Sequence, residues 1–140
     1  MYKFIFLFFY FFSISFAEEI STIEIDGSNL PNESANIELG EELFSNICSD
    51  CHGFSGEGLT GPELVGISSL KDENISKTIG NFWPYAPKIF DYVKRAKRDS
   101  KGQYFSNKEV FAITGYLLKL NGLFNGKIID KESLSEIKMP

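Results

Sequence analysis

The 140-residue chain sets 14 lysines and arginines against 19 aspartates and glutamates, for a formal net charge of −5. That acidic balance, with no basic arm to reverse it, argues against nucleic acid as a partner. Two cysteines and a single histidine cannot supply the four ligands of a structural zinc site.

At the N-terminus, Lys3 precedes the apolar run Phe4 to Phe12, and Ser15-Phe16-Ala17 offers small residues at a cleavage site. This pattern predicts a signal peptide over residues 1–17, with Glu18 as the mature N-terminus and a periplasmic destination. The 14 residues from Phe4 to Ala17 fall short of the ~20 that a helix needs to span a bilayer. An uncleaved anchor is therefore the weaker alternative, and no stable membrane span is expected after cleavage. Half of the 14 phenylalanines lie in this segment, so the remainder is less aromatic than the whole composition implies. Its length suits one domain with one core.

Residues 18–36 carry Gly27, Pro31 and scattered Ser and Asn without sustained period, which predicts an extended, loosely packed N-terminal arm. The alternation Ile20, Thr22, Glu24 allows a short strand. From Ile37 the period becomes helical, with Leu39, Leu43 and Ile47 four apart and Gly40 and Phe44 beside them. The expected domain runs over 37–140, and its first helix leads directly into Cys48-Ser49-Asp50-Cys51-His52.

That pentapeptide holds both cysteines and the only histidine in the spacing C-x-x-C-H, the attachment pattern of a c-type haem. Two thiols add across the porphyrin's two vinyl groups, and the neighbouring imidazole coordinates the iron. On a helix, positions 48, 51 and 52 share one face. A redox dithiol is the competing assignment, but such a motif opens a helix after a strand, whereas this one follows a predicted helix and precedes a glycine-rich loop. A disulfide is also open to two cysteines in an oxidising compartment, which is likewise where c-type haems reside. Gly53 to Pro62 carries four glycines and a proline, and predicts a loop on the histidine side. An iron-bound imidazole needs an acceptor for its other nitrogen, and the Pro62 carbonyl is the candidate, with an ordinary turn as the alternative.

Further along, Asp72 caps a predicted short helix carrying Ile75 and Ile79 and ended by Gly80. Asn81 to Pro87 reads as an aromatic loop, and Pro87 as the first residue of a helix with Ile89, Phe90, Val93 and Ala96 on one stripe. Trp83 and Tyr85 are candidate donors to haem propionates, with plain packing as the alternative. Ser106 and Glu109 form a capping box ahead of an apolar helix closed by Asn121-Gly122, and Asp130 caps a short C-terminal helix. Residues 88–108 hold seven basic side chains against Asp91 and Asp99, either a steering patch for an acidic redox partner or a solvated helix face. The expected architecture is all-α, three to five helices around one haem.

Gly40, Phe44, Cys48-x-x-Cys51-His52, Gly61-Pro62-x-Leu64 and the late helix with Ile113 and Tyr116 resemble the class I cytochrome c pattern, whose terminal helices cross at glycine and aromatic contacts. More narrowly, residues 78–96 and 109–121 are similar to the cytochrome c subunits of bacterial sulfite and sulfane dehydrogenases. The resemblance implies a periplasmic monohaem carrier that accepts single electrons from a molybdenum dehydrogenase oxidising sulfur compounds and passes them to another cytochrome. It implies an electron-transfer protein or subunit rather than an enzyme in its own right.

Where those relatives read Arg-Ala-Met-Pro, this chain has Lys97 at the methionine position. Met139, in Lys138-Met139-Pro140, is the leading candidate for the sixth iron ligand because it is the one thioether left in residues 18–140. Lys97 is second and an open position third. An open or displaceable site would suit a ligand sensor or haem enzyme, although no distal histidine is available for peroxidase chemistry.

Overall fold

The computed structural model describes residues 22–66 and 75–140. The segment expected to be a signal peptide and the expected cap Asp72 both lie outside these residues. No helix among the described residues is long and apolar enough to cross a membrane.

A short strand β1 (Ser34–Asn36) leads into α1 (Ile37–Leu43), because the Asn36 side chain turns back to accept from the Leu39 N–H at 3.1 Å. The backbone then widens into a π-helical segment (Phe44–Cys48), in which the Ser49 N–H reaches back to the Phe44 carbonyl, and tightens again as α2 (Ser49–His52). The apolar side chains on this run divide by depth. Ile37, Gly40 and Phe44 are buried, while Leu39, Leu43 and Ile47 are half-buried on the flank.

The reason is Gly40. A methyl group there would fall 2.0 Å from the Ala112 carbonyl oxygen and 2.9 Å from Tyr116 Cβ. Only hydrogen at this position lets α1 lie directly on α5 (Asn107–Leu120). One turn on, the Phe44 and Tyr116 rings meet at 5.4 Å between centroids. Helix α5 starts on the expected capping box, with the Ser106 N–H donating to Glu109 Oε2 at 2.7 Å and the Glu109 N–H to Ser106 Oγ at 3.3 Å.

Between these helices come α3 (Ile79–Phe82) and α4 (Ala86–Ala96). Helix α3 starts at Ile79, six residues after the start that an Asp72 cap would give, and contains Gly80 rather than ending at it. Thr78 and Asn81 form the cap, Asn81 Oδ1 accepting from the Thr78 N–H at 2.8 Å. Helix α4 carries Pro87 in its first turn and buries Ile89, Phe90 and Val93, with the Phe90 ring 4.7 Å from that of Phe111 on α5. Ala96, placed on the same stripe by its spacing, is exposed.

The chain closes with β2 (Ile128–Asp130) and α6 (Lys131–Glu136), the latter capped by Asp130. Strand β2 pairs antiparallel with β1, Ala35 opposite Ile129, both buried. The fold is thus mostly helical, with five helical segments among the described residues when 37–52 is counted as one, plus this two-stranded ladder. Thr22 and Glu24 are not in a strand. The arm is also more firmly held than its composition suggests: Ile23 and Leu30 are buried, the Ile23 N–H donates to Asp91 Oδ1 at 3.1 Å, and Lys88 Nζ donates to the Ile23 carbonyl.

Candidate functional site

An apolar cavity of about 250 Å³ opens between the helical run 37–52, the loop after it, α4 and α5. Phe44, Ile47, Leu64, Ile79, Ile89, Val93, Phe105, Ile113 and Leu117 supply its hydrophobic wall, and Cys48, Cys51, His52 and Pro62 line it as well. Both cysteines are free thiols, Cys51 exposed and Cys48 half-buried, so the wall that carries them meets solvent at Cys51. Burial pushes the Cys48 thiol above its ordinary pKa, against the opposing pull of the Lys97 charge.

The loop 53–66 is folded back on the end of α2. The Gly58 N–H donates to the His52 carbonyl at 2.7 Å, and the Gly61 N–H to the Cys51 carbonyl at 2.8 Å. Gly61 lies so close to the imidazole that a Cβ would stand 3.0 Å from His52 Cε1 and 3.1 Å from Nδ1. This contact brings the next residue's carbonyl to the ring, and His52 Nδ1 and the Pro62 oxygen are 2.7 Å apart. With Nδ1 as donor in that bond, the lone pair of Nε2 is left for a metal.

Sequence reasoning missed what holds this loop. Asn121, taken only as a helix terminator, is buried and accepts from the Gly66 N–H at 3.0 Å, while its amide donates to the Leu64 carbonyl at 3.1 Å and the Leu117 carbonyl at 2.9 Å. Thr78 Oγ1 donates to the Gly66 carbonyl at 2.6 Å, and the Ile79 N–H to the Leu64 carbonyl at 3.1 Å. The end of α5 and the start of α3 therefore pin the stretch that presents Pro62. A buried asparagine just after an apolar helix was the available signal, but nothing local to it names the loop 55 residues away.

Not every candidate reaches the cavity. Trp83 packs its ring on Tyr92 at 5.4 Å and on Phe82 at 6.0 Å, and lines a separate surface hollow with Lys88, Asp91 and Arg95. Tyr85 is the residue before α4 and is exposed. Met139 is half-buried against the core and is not among the lining residues, whereas Lys97 and Arg98 are. The basic patch also divides. Lys88 holds the arm, Lys94 donates to the Phe105 carbonyl at 3.0 Å, and Arg95 is paired with Asp91 at 2.6 Å, which leaves Lys97 and Arg98 at the cavity.

These residues fit a covalently bound haem. The box is hydrophobic, two unpaired thiols and an imidazole line it from adjacent positions of one helical run, the imidazole has a fixed acceptor, and Gly61 leaves the ring no room to tilt toward the loop.

Comparison with known proteins agrees. The chain matches, with 35% identity and a TM-score of 0.77, a chain of the crystal structure of the sulfane dehydrogenase SoxCD from Paracoccus pantotrophus. The match covers 85% of this chain and 60% of that one, so this chain spans less than two thirds of the length of the one it matches. Comparison with curated protein sequences found no match. The family model for cytochrome c matches residues 37–121, from the start of α1 to the asparagine that closes α5. With the C-x-x-C-H motif in an apolar cavity between crossed helices, the chain belongs to the cytochrome c family, electron-transfer proteins whose cofactor is covalent haem c.

Proposed function

We propose that this protein is a periplasmic monohaem carrier that accepts single electrons from a molybdenum sulfite or sulfane dehydrogenase and delivers them to another cytochrome. The observation that carries the reading is the likeness to a sulfane dehydrogenase structure over 85% of the chain, together with the attachment motif. Periplasmic location rests on the signal-peptide pattern of residues 1–17.

The bound haem supplies one-electron iron chemistry; the chain's residues set its conditions. Cys48 and Cys51 would hold the haem through two thioether links, and His52 Nε2 would bind its iron. The Pro62 carbonyl keeps the proton on Nδ1 and so fixes both tautomer and ring orientation. Packed side chains such as Phe44, Ile113 and Leu117 exclude water and hold the pocket shape through a change of charge. Exposure at Cys51 leaves one edge of the pocket within reach of a partner.

The test is to mature the protein in a host that attaches haem c, and then to mix it with a sulfite- or sulfane-oxidising dehydrogenase and substrate in a stopped-flow instrument. Reduction that depends on substrate and is faster than with an unrelated dehydrogenase supports the assignment. Equal rates with both donors refute the donor, and a colourless protein refutes the haem.

A further inference from the structure

Among the described residues, the side chains lining the cavity that carry a heteroatom besides Cys48, Cys51 and His52 are Tyr92, Lys97 and Arg98. Arg98, whose guanidinium is a donor and offers no acceptor lone pair, stacks 3.1 Å from the Tyr104 ring centroid and donates to the carbonyls of Arg95 and Lys97. Tyr92 is held by its ring, against Trp83 on one contact and the Lys97 ammonium, 5.3 Å from its centroid, on another. Lys97 is exposed and lines the cavity, and it is anchored at its backbone: it caps the C-terminus of α4, its N–H bonding to the Val93 carbonyl at 3.2 Å, while its four-carbon side chain is long and flexible.

Resting on the haem-pocket reading, we propose that Lys97 Nζ, and not Met139 Sδ, is the sixth iron ligand of this cytochrome. On binding, one ammonium N–H bond breaks, its proton leaves to solvent, and the freed lone pair forms the bond to iron, with no change in electron count. A nitrogen donor is harder than a thioether and favours the ferric state, so this carrier works at a lower potential than a methionine-ligated one. Met139, beyond α6, keeps a packing role.

The experiment uses the full, haem-loaded protein and reads ferric visible, near-infrared magnetic circular dichroism and electron paramagnetic resonance spectra for the wild type and four variants. The wild type is expected to be low-spin without the far-red thioether-to-iron band, and Met139→Ala and Tyr92→Phe are expected to leave its spectra unchanged. Lys97→Ala should lose the low-spin signal and bind added imidazole readily, and Lys97→Met should gain the thioether band with a rise in potential. A wild-type thioether band that vanishes in Met139→Ala, a high-spin wild type, a low-spin signal that survives Lys97→Ala or one abolished by Tyr92→Phe each overturns the assignment. A colourless product in every variant instead overturns the haem-pocket reading beneath it.

Discussion

Replacing Gly40 by alanine tests the crossing on which the pocket is built. The added methyl group would sit 2.0 Å from the Ala112 carbonyl oxygen and 2.6 Å from its carbon, where ordinary contact begins near 3.4 Å. The obstacle is backbone, so no side-chain rotation relieves it, and α1 and α5 must separate by about 1 Å. Overpacking of this kind costs about 1–3 kcal/mol, and a site with backbone on both sides belongs at the upper end. Alanine returns about 1 kcal/mol in helix propensity. The net loss is about 2 kcal/mol, equivalent to a fall in Tm of about 8 °C at roughly 4 °C per kcal/mol for a domain of this size. Thermal unfolding of the haem-loaded protein, followed by circular dichroism at 222 nm, measures it (a wavelength of about 222 nm reports helix). A variant within about 0.5 kcal/mol of the parent, or a more stable one, would show that the helices do not depend on the glycine for their approach.

Three other perturbations address the supporting structure. Asn121→Ala removes three hydrogen bonds and leaves the Gly66 N–H and Leu64 carbonyl without this partner; it should destabilise by about 2–3 kcal/mol and speed amide exchange at Gly66, whereas unchanged exchange would contradict the stapling role. Thr114 Oγ1 is buried without a hydrogen-bond partner among the described residues, so the near-isosteric Thr114→Val should stabilise by about 1 kcal/mol in denaturant unfolding, and a loss of stability would show that the hydroxyl does have a partner. Asp91 is buried, which acts to raise its carboxyl, yet the Arg95 hydrogen bonds, the Ile23 N–H and the charges of Arg95 and Lys88 together hold it below the ordinary value. A depressed folded pKa contributes stability above the unfolded value of about 4 and loses it as pH falls through the folded one, so acid titration of stability should steepen below about pH 4 and Asp91→Asn should flatten that limb; parallel curves would refute the coupling.

What was legible in the chain was local chemistry. The box of Ser106 and Glu109, the cap at Asp130 and the helical period from Ile37 each depend on residues within one or two turns, and each element stands where its spacing predicts. The β1–β2 ladder was not legible, because Ser34–Asn36 and Ile128–Asp130 are too short to show a period and pair across more than 90 residues of chain. The end of α3 was misplaced for a similar reason: Gly80 looks like a terminator, but it marks a close approach, since a Cβ there would lie 2.5 Å from the Gly66 carbonyl oxygen and 2.6 Å from Asn121 Oδ1. The attachment pentapeptide announces its chemistry in five letters. The rest of the pocket is gathered from residues spread between Phe44 and Leu117, which is why Lys97 and Met139 could be ordered by element chemistry and not by position.

The wide turn at Phe44–Cys48 gives the chain a place where its length can change. One residue is worth about 100° of rotation on a helix, and a π turn holds one more residue than an α turn. Deleting a single residue from that stretch would let the backbone relax to uniform α-helix, and because the extra residue and the widening disappear together, Cys51 and His52 would keep their facing. An inserted residue has no such slack to take up and would swing both round the axis, away from Leu64 and Leu117. A one-residue deletion at the exposed Ser45 or Asn46 should therefore be tolerated where an insertion is not.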